Sequence, residues 1–169
     1  MAQEKGFAPG IWDRLMGASE PHTQHRTVQP LTLEQLKASV ARDLEALLNT
    51  RVAIPEEHLS MYPRCRASIL NYGVRDFAGM CLTSSDDRKI ICDFLKLAIQ
   101  CYEPRLGNVR ARVVVEPGVM NRLDFIIFGT LNFPGAAGRV EFNATLQPST
   151  LHYSITPSGR RAMLAREAA

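Results

Sequence analysis

A chain of 169 residues, 46% hydrophobic and 22% charged, has the make-up of one globular domain, and at this length a single core removes about two-thirds of the unfolded surface from water. Twenty Lys plus Arg against 17 Asp plus Glu leave a net charge of +3 spread along the chain, which argues against a nucleic-acid protein built on a clustered basic face. Collagen-like, coiled-coil and wholly disordered classes are excluded by the same figures.

Residues 1–30 read as a flexible N-terminal arm. Gly6, Pro9, Gly10, Gly17, Pro21 and Pro30 interrupt it, and residues 21–26 are polar apart from their proline. Within the arm Phe7, Ile11, Trp12, Leu15 and Met16 form an apolar cluster, the last four on one helical face, with the only tryptophan of the chain. Such a peptide serves equally as a docking element, through Ile11, Trp12 and Leu15, or as a segment folded back onto its own domain. From Thr32 the spacing of Leu33, Leu36, Val40, Leu44, Leu47 and Leu48 predicts a helix to about Asn49, with Thr32 and Gln35 at capping-box positions. One or two helical turns are expected between residues 64 and 71, before Gly73. A longer helix starts after Ser84 or Ser85, carries Asp86 and Asp87 in its first turn, and presents Ile90, Ile91, Phe94, Leu97, Ala98 and Cys101 as its apolar face. Pro104 ends it.

The period then changes to two. Residues 109–115 alternate as a half-buried strand, residues 123–130 are apolar on both faces and therefore central, residues 140–146 alternate again, and residues 151–155 supply a shorter fourth strand. Turns are expected at residues 116–118 and 134–138. Short links between these strands imply an α+β fold: an antiparallel meander of three to four strands with two main helices packed on one face, filling residues 31–157. Residues 158–169, with Arg160, Arg161 and Arg166, form a basic C-terminal tail.

Chemistry-bearing motifs are scarce. There is no glycine-rich phosphate loop, GxSxG elbow, HExxH pair or EF-hand loop, so no cofactor is expected. Cys65, Cys81, Cys92 and Cys101 make no CxxC pair and find no histidine at zinc spacing, so no metal site is expected either. With no leader-like segment and no apolar run of about 20 residues, the reading is a reducing cytosol with free, mostly buried thiols. The sequon at Asn143 is then coincidence.

The most informative local feature is Glu103-Pro104-Arg105. A carboxylate at a helix C-terminus faces the negative end of the dipole, so helix stability does not explain Glu103. In an extended segment, Glu103 and Arg105 point to the same side. They either pair with each other or offer a polar fork to another chain, where arginine suits bidentate contacts. A glycosidase acid would need an apolar setting and a second carboxylate across a cleft. Arg105 is the opposite of an apolar setting, and spacing selects neither Asp76 nor Asp124 as the second group.

Three blocks in order carry a resemblance: Leu44-Glu45-Ala46-Leu47-Leu48-Asn49-Thr50-Arg51; Ser68-Ile69-Leu70-Asn71-Tyr72-Gly73 with Asp76-Phe77; and Tyr102-Glu103-Pro104-Arg105-Leu106. In this order and spacing residues 31–157 resemble the phage baseplate wedge proteins, long labelled lysozyme-like, and most closely the TssE-type members of bacterial type VI secretion systems. Val74-Arg75 stands where members often have a proline before the aspartate. The resemblance implies a small α+β domain with no established catalysis, placed in the cytoplasmic baseplate docked at the inner membrane. It implies contacts with other wedge subunits (TssF-, TssG- and TssK-like) and with contractile sheath subunits (TssB- and TssC-like), without nucleic acid or membrane insertion. Glu103, Pro104 and Arg105 match a Glu-Pro-Arg motif linked to assembly. The expected function is a structural wedge subunit that helps initiate sheath assembly; the old label supplies the alternative, a peptidoglycan-cleaving muramidase. A meander has open edges, so the first or the last strand is expected to accept a strand from a sheath protein.

Overall fold

The computed structural model describes residues 7–10, 13–14, 31–114, 122–133 and 136–158. Helix α1 (Leu33–Leu48) starts at the expected capping box: Thr32 Oγ1 accepts from the Gln35 amide at 3.2 Å, and the Thr32 amide donates to Gln35 Oε1 at 2.8 Å. Its stripe of Leu36, Val40, Leu44, Leu47 and Leu48 is buried, whereas Leu33, at the helix start, stays 41% exposed. Two short helices, α2 (Glu56–Leu59) and α3 (Pro63–Arg66), and a 3₁₀ turn (Ile69–Asn71) follow. The chain then returns to the end of α1, where the Val74 amide donates to Thr50 O at 2.8 Å and the Val52 amide to Val74 O at 3.1 Å. Gly73 makes this approach with φ of +122°, and a Cβ there would lie 2.5 Å from Thr50 O, so only glycine fits.

Helix α4 (Ser85–Tyr102) is capped by Ser84, whose Oγ accepts from the Asp87 amide at 3.3 Å. Its buried face is Ile91, Leu95, Ala98 and Ile99, so of the expected face Ile91 and Ala98 are buried and Phe94 is packed partly against the core. Ile90 and Leu97 are exposed, and Leu95 and Ile99 replace them. Two apolar stripes lie side by side on this helix, and packing against the sheet chooses the one spaced i, i+4, i+7 and i+8. The thiols also depart from expectation: all four are free, but Cys81 and Cys101 are exposed and Cys65 and Cys92 only half-buried. Cys101 shares the stripe turned away from the sheet.

Strands β1 (Leu106–Val114), β2 (Leu123–Phe133), β3 (Ala136–Gln147) and β4 (His152–Pro157) form one antiparallel sheet in the order β1-β2-β3-β4. β2 and β3 extend into the expected turn at residues 134–138, pairing as far as Phe133 with Ala136; the other expected turn, at residues 116–118, lies outside the described residues. The inner-face side chains Val109, Phe125, Ile127, Phe142, Ala144, Leu146 and Tyr153 join the buried faces of α1 and α4 in one core. Each fully buried leucine, isoleucine or phenylalanine contributes roughly 1.5–3 kcal/mol. β2 is central, as its apolar run implies, and Ile126 is buried on the opposite face by strand alternation. The fold is therefore α+β, a four-stranded meander with both main helices on one side. Phe7 pairs through both backbone groups with Leu31, at 2.9 and 2.7 Å, and sets its ring edge-on to Phe133.

Candidate functional site

Pro104 cannot continue α4, so the backbone leaves the helix at Glu103, whose amide still donates to Ile99 O at 2.8 Å. The resulting extended step brings the side chains of Glu103 and Arg105 together, one of the two arrangements open to them. Arg105 Nε donates to Glu103 Oε1 at 2.6 Å and Nη2 donates to Oε2, a two-pronged pair. Glu103 is buried and Pro104 exposed. Arg105 Nη2 also reaches Asp43 Oδ2 at 2.6 Å, and Nη1 lies 3.4 Å from Ser39 Oγ.

The network continues into the N-terminal segment. Arg42 binds Asp43 at 3.2 Å and Asp13 Oδ1 at 2.7 Å, while Asp13 Oδ2 accepts from Ser39 Oγ at 2.7 Å and from the Gly10 amide at 3.1 Å. Charges thus alternate from Glu103 through Arg105, Asp43 and Arg42 to Asp13. Exposure rises from 5% at the Glu103 side chain through 19% at Arg105 to 45% at Arg42, and falls back to 15% at Asp13. Burial disfavours the Arg105 charge, but the bonds and charge of Glu103 and then Asp43 outweigh it and hold the guanidinium above its ordinary value. Burial likewise opposes the Asp13 carboxylate, and the donors Ser39, Arg42 and Gly10 reverse that, leaving it below the usual range. Three carboxylates (Asp13, Asp43, Glu103) against two guanidiniums (Arg42, Arg105) leave one net negative charge, which favours a basic group from outside.

Of the predicted contact residues, Glu103, Pro104 and Arg105 lie together at the α4–β1 junction, whereas Ile11, Trp12 and Leu15 lie outside the described residues. Asp13, between Trp12 and Leu15 in the sequence, ties that segment to the junction. Sequence reading missed Asp13, Ser39, Arg42 and Asp43: three carry charges that look like solvated helix or loop positions until the fold assembles them.

The other two motif blocks tie the helices and loops to one another and to the sheet. Glu45 Oε2 accepts from the Ile155 amide at 2.7 Å, and Asn49 bonds both backbone groups of Tyr153, at 2.8 and 2.9 Å. Arg51 donates to Leu48 O and Leu151 O, both at 2.8 Å, and lies 5.0 Å over the Phe77 ring. Tyr102 Oη donates to Ser68 O at 3.0 Å, and its ring meets Tyr72 edge-on. Burial, followed by the charges of Asp43 and Glu103, raises the Tyr72 phenol above its ordinary value, which sets Tyr72 beside the network. Glu45 of α1 and Asn49 just after it thus bind the outer edge of β4.

Nothing in this arrangement resembles a glycosidase pair. Both Glu103 oxygens accept from Arg105 and the side chain is buried, so no face remains for a glycosidic oxygen. Asp124 is taken by Thr145 at 2.7 Å and Arg122 at 2.9 Å, and Asp76 caps the Ala78 amide at 3.0 Å in a loop. Among the described residues no three His, Cys, Asp or Glu side chains gather as a metal site, and no helix is long and apolar enough to cross a membrane.

Among curated proteins and among solved structures, none matches the chain. The family model for baseplate wedge protein gp25 matches residues 34–134. That span runs from the start of α1 to the end of β2 and holds all three motif blocks; this chain belongs to the baseplate wedge protein gp25 family.

Proposed function

We propose that this chain is a non-enzymatic, TssE-type subunit of a type VI secretion baseplate, cytoplasmic and docked at the inner membrane, that helps initiate the contractile sheath. Its partners are other wedge subunits, of the TssF, TssG and TssK kind, and sheath subunits of the TssB and TssC kind. The observation that carries the reading is the network from Glu103 to Asp13. It joins the Glu-Pro-Arg segment to the N-terminal segment holding Ile11, Trp12 and Leu15, and it reaches the surface with one net negative charge. A basic side chain of a wedge subunit fits there, beside apolar anchors supplied by the segment.

The sheath contact is assigned to the edge of β1. The outer edge of β4 is already occupied, since Tyr153 and Ile155 give their free backbone groups to Asn49 and Glu45. β1 is longer, nine residues against six, and is the other edge of the sheet. Main-chain hydrogen bonds to an added strand there give register as well as affinity.

The test is co-purification from an extract of the source bacterium with wild type, Arg42→Ala and the Glu103→Ala/Arg105→Ala pair, each first shown folded by circular dichroism. Wild type is expected to retain wedge and sheath subunits, and Arg42→Ala, which removes a bond holding Asp13 and with it the N-terminal segment, to lose wedge subunits. Equal recovery by all three refutes the polar junction. Release of soluble peptidoglycan fragments by wild type but not by Glu103→Gln overturns the assembly role in favour of the muramidase.

A further inference from the structure

The face of the sheet turned away from the helices carries a groove of about 700 Å³, a volume typical of sites that hold a ligand or a peptide segment. Arginines distant in the sequence meet there. Arg110 and Arg112 come from β1 and Arg139 from β3, and Phe128 of β2 lies between them. The register sets Arg110 opposite Phe128 and Phe128 opposite Glu141, so the three form one row across the sheet. Arg112 lies 5.3 Å over the Phe128 ring, and Glu141 is buried, with Ser158 Oγ at 3.2 Å. Arg110 and Arg112 are both exposed, and neither has a carboxylate within salt-bridge distance among the described residues.

Three guanidiniums against one carboxylate make this lining basic, although the chain as a whole is nearly balanced. Arginine stays charged at any physiological pH and presents a fork that matches a carboxylate. Arg110 and Arg112 are two residues apart on one strand, about 6.6–6.8 Å, the same spacing as alternate side chains of an extended peptide. We propose that this groove binds an acidic, extended segment of a partner protein, with alternate carboxylates seated on Arg110 and Arg112. Nucleic acid fits it less well. The only aromatic face of the lining is covered by Arg112, so a base has no open ring to stack on. The proposal is independent of the contacts assigned above to the Glu103 junction and the β1 edge.

Fluorescence anisotropy with the full chain tests it, using three labelled probes: a twelve-residue peptide alternating Glu and Thr, its Lys–Thr counterpart, and a single-stranded oligothymidine. The acidic peptide is expected to bind at low salt and the basic one not. Arg110→Gln/Arg112→Gln should weaken binding at least about tenfold, and Arg110→Glu/Arg112→Glu further. Both pairs lie on the exposed side of an edge strand, and circular dichroism verifies that each variant keeps its fold. Equal binding of the acidic peptide by wild type and variants overturns the proposal, as does its failure to bind or tighter binding of the oligothymidine.

Discussion

Removing Arg105 alone should be one of the most damaging single changes in this domain. Glu103 is 4% exposed and both its oxygens accept from that guanidinium. In Arg105→Ala the carboxylate keeps only the residue 105 amide, 3.3 Å from Oε1. Breaking a buried ion pair from one side costs roughly 3–5 kcal/mol, a large part of the about 5–15 kcal/mol that holds a domain folded. Glu103→Ala should cost less, about 1–3 kcal/mol, because Arg105 retains Asp43 and is 19% exposed. The double variant leaves no buried charge alone, so its loss should fall short of the sum of the singles by about 2 kcal/mol. Urea unfolding of the four proteins at neutral pH gives all three numbers. Additive losses, or an Arg105→Ala cost under about 1 kcal/mol, would refute the picture of a buried, mutually dependent pair.

Four further outcomes follow from the packing. Gly73→Ala forces a side chain into φ of +122° with Thr50 O at 2.5 Å, so thermal denaturation should show a loss of at least about 2 kcal/mol. Among the described residues the Tyr153 hydroxyl is buried without a partner; Tyr153→Phe should leave stability unchanged or raise it by up to about 1 kcal/mol, a Tm gain of roughly 2–4 °C by calorimetry. Asp13 has its pKa lowered in the fold, so its stabilisation is complete above the ordinary value of 3.8 and is lost as pH falls below it; the urea midpoint of wild type should therefore drop more steeply below about pH 4 than that of Asp13→Asn. Glu45→Ala/Asn49→Ala frees backbone groups on β4, and light scattering should reveal concentration-dependent self-association absent from wild type.

The elements that were legible in the sequence are those whose signal is local. The Thr32–Gln35 capping box, Ser84 with its two aspartates, the stop at Pro104 and the two-residue period of the strands each depend on neighbours within a turn or two, and each recurs in the fold. The face of α4 was legible only in part, through Ile91 and Ala98, because Ile90, Phe94 and Leu97 form as good a stripe as Ile91, Leu95 and Ala98 until a sheet selects between them. Cys101 misled for the same reason: it is apolar enough for a core but lies on the unselected stripe. At the site, the adjacency of Glu103 and Arg105 was readable from a spacing of two. Their partner Asp43 is 62 positions from Arg105, and Asp13 lies in a segment with no periodic signal, so nothing local connects either to the motif.

The three motif blocks divide the labour between holding the fold and offering contacts. Glu45, Asn49 and Arg51 direct polar groups inward to β4 and the loop before it, Gly73 permits the loop's return to α1, and Glu103 is enclosed by Arg105. Most of these side chains therefore act by fixing the fold rather than by touching another chain. Capping β4 leaves β1 as the edge proposed for the sheath contact, and enclosing Glu103 leaves Asp43 and Arg42 as the more exposed part of the network. A substitution in the motif then affects assembly by a route different from one at Arg42: the first loosens the scaffold and lowers stability together with binding, while the second should reduce binding at nearly constant stability. Comparing urea midpoints with partner recovery for Arg105→Ala and Arg42→Ala separates the two routes, and a loss of binding by Arg105→Ala at unchanged stability would place the guanidinium itself in the contact.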